Sequence, residues 1–171
     1  MKYQPCKSQV SGAQNISRRC FVCGDENMMG LHAQFYELED ERLVAEFTAA
    51  DEHQSYPGRV HGGVISAILD ETIGRAIQVT DPNIFGVTLE LSVRFRKPVP
   101  LGVPLRVVAK ITERSNRIFA GEGVLLLEDD SVAAQASARY LRMDVDGIVE
   151  GGLTDMDWRP DERKPPKTVT V

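Results

Sequence analysis

The sequence predicts an α+β domain in which an antiparallel sheet wraps around one buried helix. Apolar and polar residues alternate with a period of two along much of the chain, which is typical of half-buried strands. One segment instead carries apolar residues at helical spacing. The 171 residues, of which 42% are hydrophobic, suit a single compact core.

Six segments are predicted as strands. In the clearest one, Val87, Leu89, Leu91, Val93 and Phe95 alternate with polar residues, so one face of that strand should be buried. Because the strands mostly follow one another along the chain, an antiparallel sheet is favoured. The predicted strands cover residues 31 to 38, 42 to 48, 87 to 95, 104 to 114, 117 to 127 and 131 to 143.

One helix is predicted between the turn at Tyr56-Pro57-Gly58 and the break at Asp81-Pro82. It should have about five turns. Its apolar residues fall on more than one side, so most of its circumference should be buried. These residues are Val64, Ile65, Ala67, Ile68, Leu69, Ile73, Ala76 and Ile77.

Both ends of the chain look less structured than the middle. Residues 1 to 18 are polar, and residues 144 to 171 combine many charges with Gly151-Gly152, Pro160 and Pro165-Pro166. We expect a flexible N-terminal segment at 1 to 18, a folded domain at 19 to 143 and a C-terminal tail at 144 to 171. Such ends either pack weakly or wrap a partner.

Composition argues against several classes of protein. The net charge of −5 would repel a nucleic acid backbone. The N-terminus lacks the apolar core of a signal peptide, and the chain has no apolar run of about 18 residues. Its 3 cysteines are an odd number, which cannot complete an intramolecular set of disulfides. We therefore expect a cytoplasmic protein with neither nucleic acid nor a membrane as its partner.

The strongest local signal is the run Arg59-Val60-His61-Gly62-Gly63, which leads into a helix carrying Asp70 and Glu71. Each part alone has an ordinary interpretation. The glycine pair suits a tight turn, His61 suits a capping residue, and Asp70 with Glu71 suits a solvent-exposed stripe of the helix. A carboxylate in apolar surroundings, however, suits a general base or nucleophile near neutral pH. A helix start opened by two glycines offers unobstructed N–H groups at the positive end of the helix dipole, which suits an oxyanion hole.

The spacing of these groups predicts a dimer. Gly62 and Asp70 are eight residues apart, which is about 12 Å along a helix axis. Oxyanion donors must lie about 3 Å from the developing charge, with the carboxylate within one water of the same carbon. Two antiparallel helices related by a twofold axis would satisfy both requirements and give two equal sites.

The run Gly58-Arg59-Val60-His61-Gly62-Gly63, with Asp70 nine positions after the histidine, resembles hotdog-fold thioesterases of the PaaI-like, phenylacetate-pathway type. The resemblance covers residues 20 to 143. It implies a long helix wrapped by an antiparallel sheet, in a homodimer or a dimer of dimers. It also implies hydrolysis of an acyl-CoA thioester to the free acid and CoA, without metal or organic cofactor.

The resemblance also assigns roles at the matching positions. Asp70 would be the base or nucleophile and the Gly62 N–H the principal oxyanion donor. His61 would orient the thioester region and the helix start, to which Gly63 also belongs. Thr88 stands where the family tends to have a Ser or Thr early in the strand after the helix.

Two positions leave alternatives open. The family often has an asparagine six residues before the histidine, where this chain has Ser55, so Ser55 or Gln54 would have to position the water. Glu71 is a rival to Asp70, because another branch of the fold uses a helical glutamate.

Arg94, Arg96 and Lys97 lie near one strand end, where they would either meet CoA phosphates or form a solvated face of the sheet.

Cys20 and Cys23 have the spacing of a zinc half-site or a redox pair. A complete zinc site needs two more ligands, and only Cys6 and His32 are near in sequence. The segment that holds Cys20, Cys23 and Gly24 with Asn27 and Gly30-Leu31 resembles a leader found in one subgroup of these thioesterases, which favours packing on the sheet.

Two other functions compete with hydrolysis. The first is hydration or dehydration of acyl-CoA on the same fold, although Gly62-Gly63 after His61 fits thioester hydrolysis better. The second is a non-enzymatic sensor that binds acyl-CoA. The acidic charge of the chain argues against a sensor that regulates by binding DNA. The acyl group depends on the shape of a pocket at the dimer seam, which a one-dimensional pattern does not determine.

Overall fold

The computed structural model describes residues 4–149, 154 and 158–171. These residues form eight strands, two α-helices and two 3-10 turns. The strands are β1 Lys7–Ala13, β2 Gln34–Leu38, β3 Leu43–Thr48, β4 Ile84–Phe95, β5 Pro104–Arg114, β6 Ile118–Leu126, β7 Val132–Asp144 and β8 Thr168–Thr170. The helices are α1 Gly62–Arg75 and α2 Val145–Ile148, and the 3-10 turns are Asp51–His53 and Ala76–Val79.

The strands form one sheet in the order β4-β7-β6-β5-β3-β2-β1-β8, with every pair antiparallel. Helix α1 lies against strands β3 to β7 and buries Ile68, Leu69 and Ile73 completely. This burial removes the apolar surface of both layers from water, which is the main force holding helix and sheet together. The predicted fold class, a sheet wrapped around one central helix, is confirmed.

Helix α1 is shorter than expected. It has 14 residues, or about four turns, and continues from Ala76 as a 3-10 turn that ends before Asp81-Pro82. From Val64 to Val79 every residue is at least partly buried, as its apolar pattern predicted. No helix of the described residues is long and apolar enough to span a membrane.

The ends of the chain differ from the sequence expectation, because both add a strand to the six predicted ones. β1 pairs with β2, and β8 pairs with β1 at the sheet edge. The run Lys7–Ala13 has no apolar alternation, so only its backbone pairing reveals a strand. Val169 and Val171 are buried on the opposite side of the sheet from α1, in a second core cluster with Tyr36. The domain boundaries stay a prediction, and Gly151-Gly152 lies outside the described residues.

Strand β4 is less buried than its alternation predicted. Val87, Leu89 and Phe95 are 44%, 55% and 52% exposed. The reason is that β4 is an edge strand, paired with β7 on one side and with no other strand of the described chain on the other. In addition, a bulge between Thr88 and Glu90 breaks the alternation at Leu89. The apolar residues of β4 therefore do not all face the helix.

Candidate active site

The start of α1 leaves the Gly62 N–H available as a backbone donor. His61 caps the helix by accepting a hydrogen bond at Nδ1 from the Gly63 N–H, at 2.9 Å. Among the described residues we find no hydrogen-bond acceptor for the Gly62 N–H. The first N–H groups of a helix have no partner within the helix. The cap thus occupies one glycine N–H and leaves the other at the positive end of the dipole.

The segment before α1 is anchored by His53, which the sequence analysis missed. Its buried ring accepts at Nδ1 from the Ala50 N–H at 2.9 Å, and Nε2 lies 3.0 Å from the Met29 carbonyl oxygen. The His53 carbonyl accepts from the His61 N–H at 2.8 Å, which ties the helix start to this anchor. Ser55 lies in the exposed turn that follows and does not line the cavity at Asp70.

Asp70 is a partly buried carboxylate held by two hydroxyl groups. The Thr88 hydroxyl lies 3.1 Å from Oδ1 and 3.0 Å from Oδ2, and the Tyr140 hydroxyl lies 3.0 Å from Oδ1. Burial raises the pKa of Asp70, while hydrogen bonds from Thr88 and Tyr140 act in the opposite direction and the charge of Glu71 raises it further. The carboxylate is thereby oriented and made more basic than an exposed aspartate.

Tyr140 is a site residue that the sequence analysis did not identify. Its ring stacks on Phe119 with centroids 5.0 Å apart, and its hydroxyl also lies 2.8 Å from the Asp70 carbonyl oxygen. Two glycines make room for it, since a Cβ on Gly74 or Gly86 would come within 3.0 Å of the ring. Burial, with the charge of Asp70, raises the pKa of Tyr140, so the phenol remains a proton donor.

The bulge in β4 aims Thr88 at the helix. Thr88 pairs with Tyr140 across the ladder, whereas Leu91 pairs with Ala138, and the extra residue Leu89 lies between the two pairs. A strict alternation would place Thr88 and Leu91 on opposite faces. With one extra residue both can face α1, and bulges commonly redirect a side chain beside a functional site.

Glu71 is engaged elsewhere. Its Oε1 accepts from Arg75 Nε at 2.7 Å, and Arg75 is 6% exposed. This ion pair gives Glu71 a structural role in satisfying a buried guanidinium, since a buried charge without a partner is costly. Asp70 has no such cationic partner among the described residues, which favours it over Glu71 as the reactive carboxylate.

Asp70 lines a cavity of about 210 Å³. Its walls come from α1, the 3-10 turn that follows it, β4, β7 and two residues further along the chain, Ile148 and Trp158. Gly62, His61 and Gly63 are not part of these walls, so one chain does not bring the two halves of the expected site together. Arg94, Arg96 and Lys97 do not line it either. All three are exposed, and Arg96 Nε donates to Gln135 Oε1 at 2.9 Å.

Residues 57–134, which hold α1, β4, β5, β6 and the start of β7, match the family model of the Thioesterase superfamily. The matched segment, just under half of the chain, is therefore similar to the thioesterase superfamily. A crystal structure of a thioesterase superfamily protein superposes with a TM-score of 0.67 at 28% identity, over 74% of this chain and 61% of that chain. The hotdog fold implied by the motif is confirmed.

Two further proteins are similar to this chain. The acyl-coenzyme A thioesterase THEM4 of Rattus norvegicus is 28% identical over 141 residues, which are 82% of this chain and 58% of the relative. This chain thus spans less than two thirds of the length of that relative. The E. coli PaaI protein from the phenylacetic acid degradation operon has the same fold, with a TM-score of 0.60 at 14% identity over 66% of this chain and 80% of that one.

Proposed function

We propose that the protein hydrolyses an acyl-CoA thioester to the free acid and CoA, with Asp70 as the reactive carboxylate. The observation that carries this proposal is the half-buried Asp70 side chain, oriented by the hydroxyls of Thr88 and Tyr140. The relative named an acyl-coenzyme A thioesterase supports the same substrate class.

In the proposed reaction, Asp70 accepts a proton from a water molecule as the water oxygen attacks the thioester carbonyl carbon. The carbonyl oxygen becomes an oxyanion that accepts a hydrogen bond from a Gly62 N–H. Collapse of this intermediate breaks the C–S bond, and the CoA sulfur takes up the proton that Asp70 received. Direct attack by Asp70, with hydrolysis of the resulting anhydride, uses the same groups.

The proposed site needs a second subunit. The cavity of about 210 Å³ at Asp70 is smaller than typical ligand sites, which enclose about 300 to 1,000 Å³. The edge strand β4 supplies the natural interface, because a long exposed edge with apolar residues such as Val87 and Leu89 favours pairing with another chain. We therefore propose a homodimer, with a dimer of dimers as an extension of it.

The position of β4 supports this arrangement. Thr88 contacts Asp70, while the Phe95 ring lies 3.5 Å from where a Cβ on Gly62 would be. A twofold axis midway between Thr88 and Phe95 would pair β4 antiparallel with its copy and bring Thr88 opposite the second Phe95. Asp70 of one chain would then lie beside Gly62 of the other.

Arg94, Arg96 and Lys97 remain proposed contacts for CoA phosphates, because they adjoin Phe95 and hence the helix start. The free thiols of Cys6, Cys20 and Cys23 support the proposed placement in the cytoplasm, where thiols are kept reduced.

The proposed activity is tested with a panel of acyl-CoAs of different length and aromaticity, by measuring thiol release. At least one member should be hydrolysed with a kcat/KM in the ordinary enzymatic range, about 10⁴ M⁻¹s⁻¹ or more. Hydration of crotonyl-CoA without thiol release would favour the hydratase alternative. Tight binding of acyl-CoA with no turnover at all would favour the sensor. Either result would contradict the proposed hydrolysis.

Removing a hydroxyl donor from Asp70 should move the acid limb of the pH–rate profile to higher pH. The donors stabilise the ionised carboxylate and lower its pKa, so Tyr140→Phe and Thr88→Val should raise that pKa. The active, ionised form would then appear only at higher pH. The measurement is kcat/KM against pH, with Tyr36→Phe as the control, because Tyr36 lies in the second core cluster. If the acid limb of the profile lies at the same pH in both variants as in the wild type, these hydroxyls do not influence the pKa of the reactive group and the prediction is wrong.

Prolonged chelation should leave hydrolysis unchanged. Asp70, Thr88 and Tyr140 form a carboxylate with two hydroxyl donors, which is not a typical set of metal ligands. The rate before and after dialysis against a chelator, together with metal analysis, checks this prediction. Stoichiometric zinc whose removal lowers stability would instead identify Cys20 and Cys23 as structural ligands.

A further inference from the structure

Cys20 and Cys23 form a tight turn beside α1. The Cys20 Sγ accepts hydrogen bonds from the N–H groups of Val22 at 3.3 Å and Cys23 at 3.4 Å. A Cβ on Gly24 would come within 2.5 Å of the Cys20 carbonyl oxygen, so the turn requires glycine there. Cys20 is partly exposed and Cys23 is fully buried. The turn thus presents one partly exposed cysteine beside one buried cysteine.

A buried cation faces the buried sulfur. The Arg75 guanidinium donates from Nη2 to Cys23 Sγ at 3.1 Å and from Nη1 to the Asn15 carbonyl at 2.8 Å. The guanidinium also lies between two aromatic rings, 4.5 Å from the centroid of Phe35 and 4.6 Å from that of Trp158. These contacts fix the positive charge next to Cys23, where it stabilises a thiolate.

The same cation argues against a metal at this position. The sulfurs of Cys20 and Cys23 and a carboxylate oxygen of Glu71 lie within 4.8 Å of one another, which is close enough for three metal ligands. However, Arg75 already donates to both Cys23 and Glu71. A divalent ion placed among these ligands would meet a fixed positive charge within a few ångströms and would have to displace its hydrogen bonds.

We propose that Cys20 and Cys23 are a thiol–disulfide exchange site that reacts with low-molecular-weight disulfides of the glutathione type. Cys20 is the attacking sulfur, because it is the accessible one and its thiolate is stabilised by the N–H groups of the turn. Cys23 is the resolving sulfur, and Arg75 stabilises its thiolate in the second step.

The exchange is balanced in two steps. The Cys20 thiolate attacks one sulfur of the external disulfide, forms a mixed disulfide and releases the first thiolate. The Cys23 sulfur, after losing its proton, attacks Cys20 Sγ, closes the intramolecular disulfide and releases the second thiolate. Two electrons pass from the protein dithiol to the external disulfide, and the two protons of the protein thiols end on the two released thiols.

The acidity of the two thiols fits this order. A hydrogen bond from the Cys23 thiol, with help from the turn N–H groups and against the effects of burial and of the Glu71 charge, lowers the pKa of Cys20 to about 7. Its hydrogen bond to Cys20 and burial raise the pKa of Cys23, which keeps it protonated until Cys20 has reacted. Alkylation of the accessible thiol should therefore increase with pH and reach half its maximum rate near pH 7.

The test uses the full chain with Cys6→Ser, which removes the exposed third thiol. Excess glutathione disulfide should abolish both remaining thiols together, with a loss of two hydrogens in mass and no retained glutathione. In the double variant Cys6→Ser/Cys23→Ser, Cys20 should keep one glutathione as a stable mixed disulfide. In the double variant Cys6→Ser/Cys20→Ser, Cys23 should react at least about tenfold more slowly than Cys20 does in the other double variant, because Cys23 is buried. A thermal melt of each variant checks that it is folded.

Two outcomes would overturn the proposal. The first is that folded protein with Cys6→Ser keeps both thiols free in excess glutathione disulfide. The second is that the reduced protein holds one zinc per chain and its thiols react only after chelation, which would make the cluster a metal site. Neither outcome depends on thioester hydrolysis, so this test and that of the proposed function are independent.

Discussion

Replacing Asp70 with asparagine should lower thioester hydrolysis by about 10²-fold or more, the effect expected for loss of a positioned base or nucleophile. The fold and the dimer should persist, because asparagine has nearly the same shape and still accepts from Thr88 and Tyr140 at its carbonyl oxygen. Burial raises the pKa of Asp70 in the folded chain, so stability falls as the pH rises from the ordinary pKa of an aspartate to that raised pKa, and the full cost of the ionised carboxylate remains at higher pH. Asparagine carries no charge, and the melting temperature at neutral pH should be equal or higher.

The matched control is Glu71→Gln at the neighbouring position. This variant leaves Arg75 without its carboxylate partner, so we expect a lower melting temperature with most of the hydrolytic rate retained. The two variants should therefore differ in opposite ways. Asp70→Asn loses hydrolytic rate but not melting temperature, and Glu71→Gln loses melting temperature but keeps most of the hydrolytic rate. Near wild-type turnover in Asp70→Asn would contradict the proposed role of Asp70, and loss of turnover in folded Glu71→Gln would transfer that role to Glu71.

Two inactive variants should restore activity when they are combined in one dimer. Gly62 and Asp70 lie about 12 Å apart along α1, so each proposed site takes Gly62 from one chain and Asp70 from the other. Gly62→Pro removes the free N–H, and proline is well tolerated at the first position of a helix. A heterodimer of Gly62→Pro with Asp70→Asn holds both lesions in one site and neither in the other. About half of the wild-type activity per heterodimer should return.

Gly62→Ala is the control for the helix start, since it keeps the N–H. Its Cβ would meet the Phe95 ring at an ordinary distance of 3.5 Å. This variant should retain hydrolysis, which would assign the loss in Gly62→Pro to the missing donor and not to the added carbon. Heterodimers verified by mass that stay inactive, while Gly62→Pro alone is folded, would exclude the shared-site architecture.

Local sequence patterns predicted most of the fold. The strand at 104 to 114 is observed with those bounds, the strand at 117 to 127 is one residue shorter at each end, and the strand at 131 to 143 is shifted by one residue. Alternation and helical spacing are properties of neighbouring residues, so a single sequence reveals them. The strands β1 and β8 were not predicted, because they form through backbone pairing between Lys7–Ala13 and Thr168–Thr170, which are far apart in the chain.

The sequence by itself determined the helix start at Gly62 and the carboxylate in the apolar helix, because both follow from residue types at fixed local spacing. Only the tertiary structure decided what surrounds Asp70. Tyr140 is 70 residues away from Asp70 in sequence and reaches it through the antiparallel pairing of β4 with β7. Likewise, Arg75 and Cys23 are 52 residues apart and meet only because the leader packs on α1. Contacts of this kind depend on how whole elements pack together, and no local pattern encodes them.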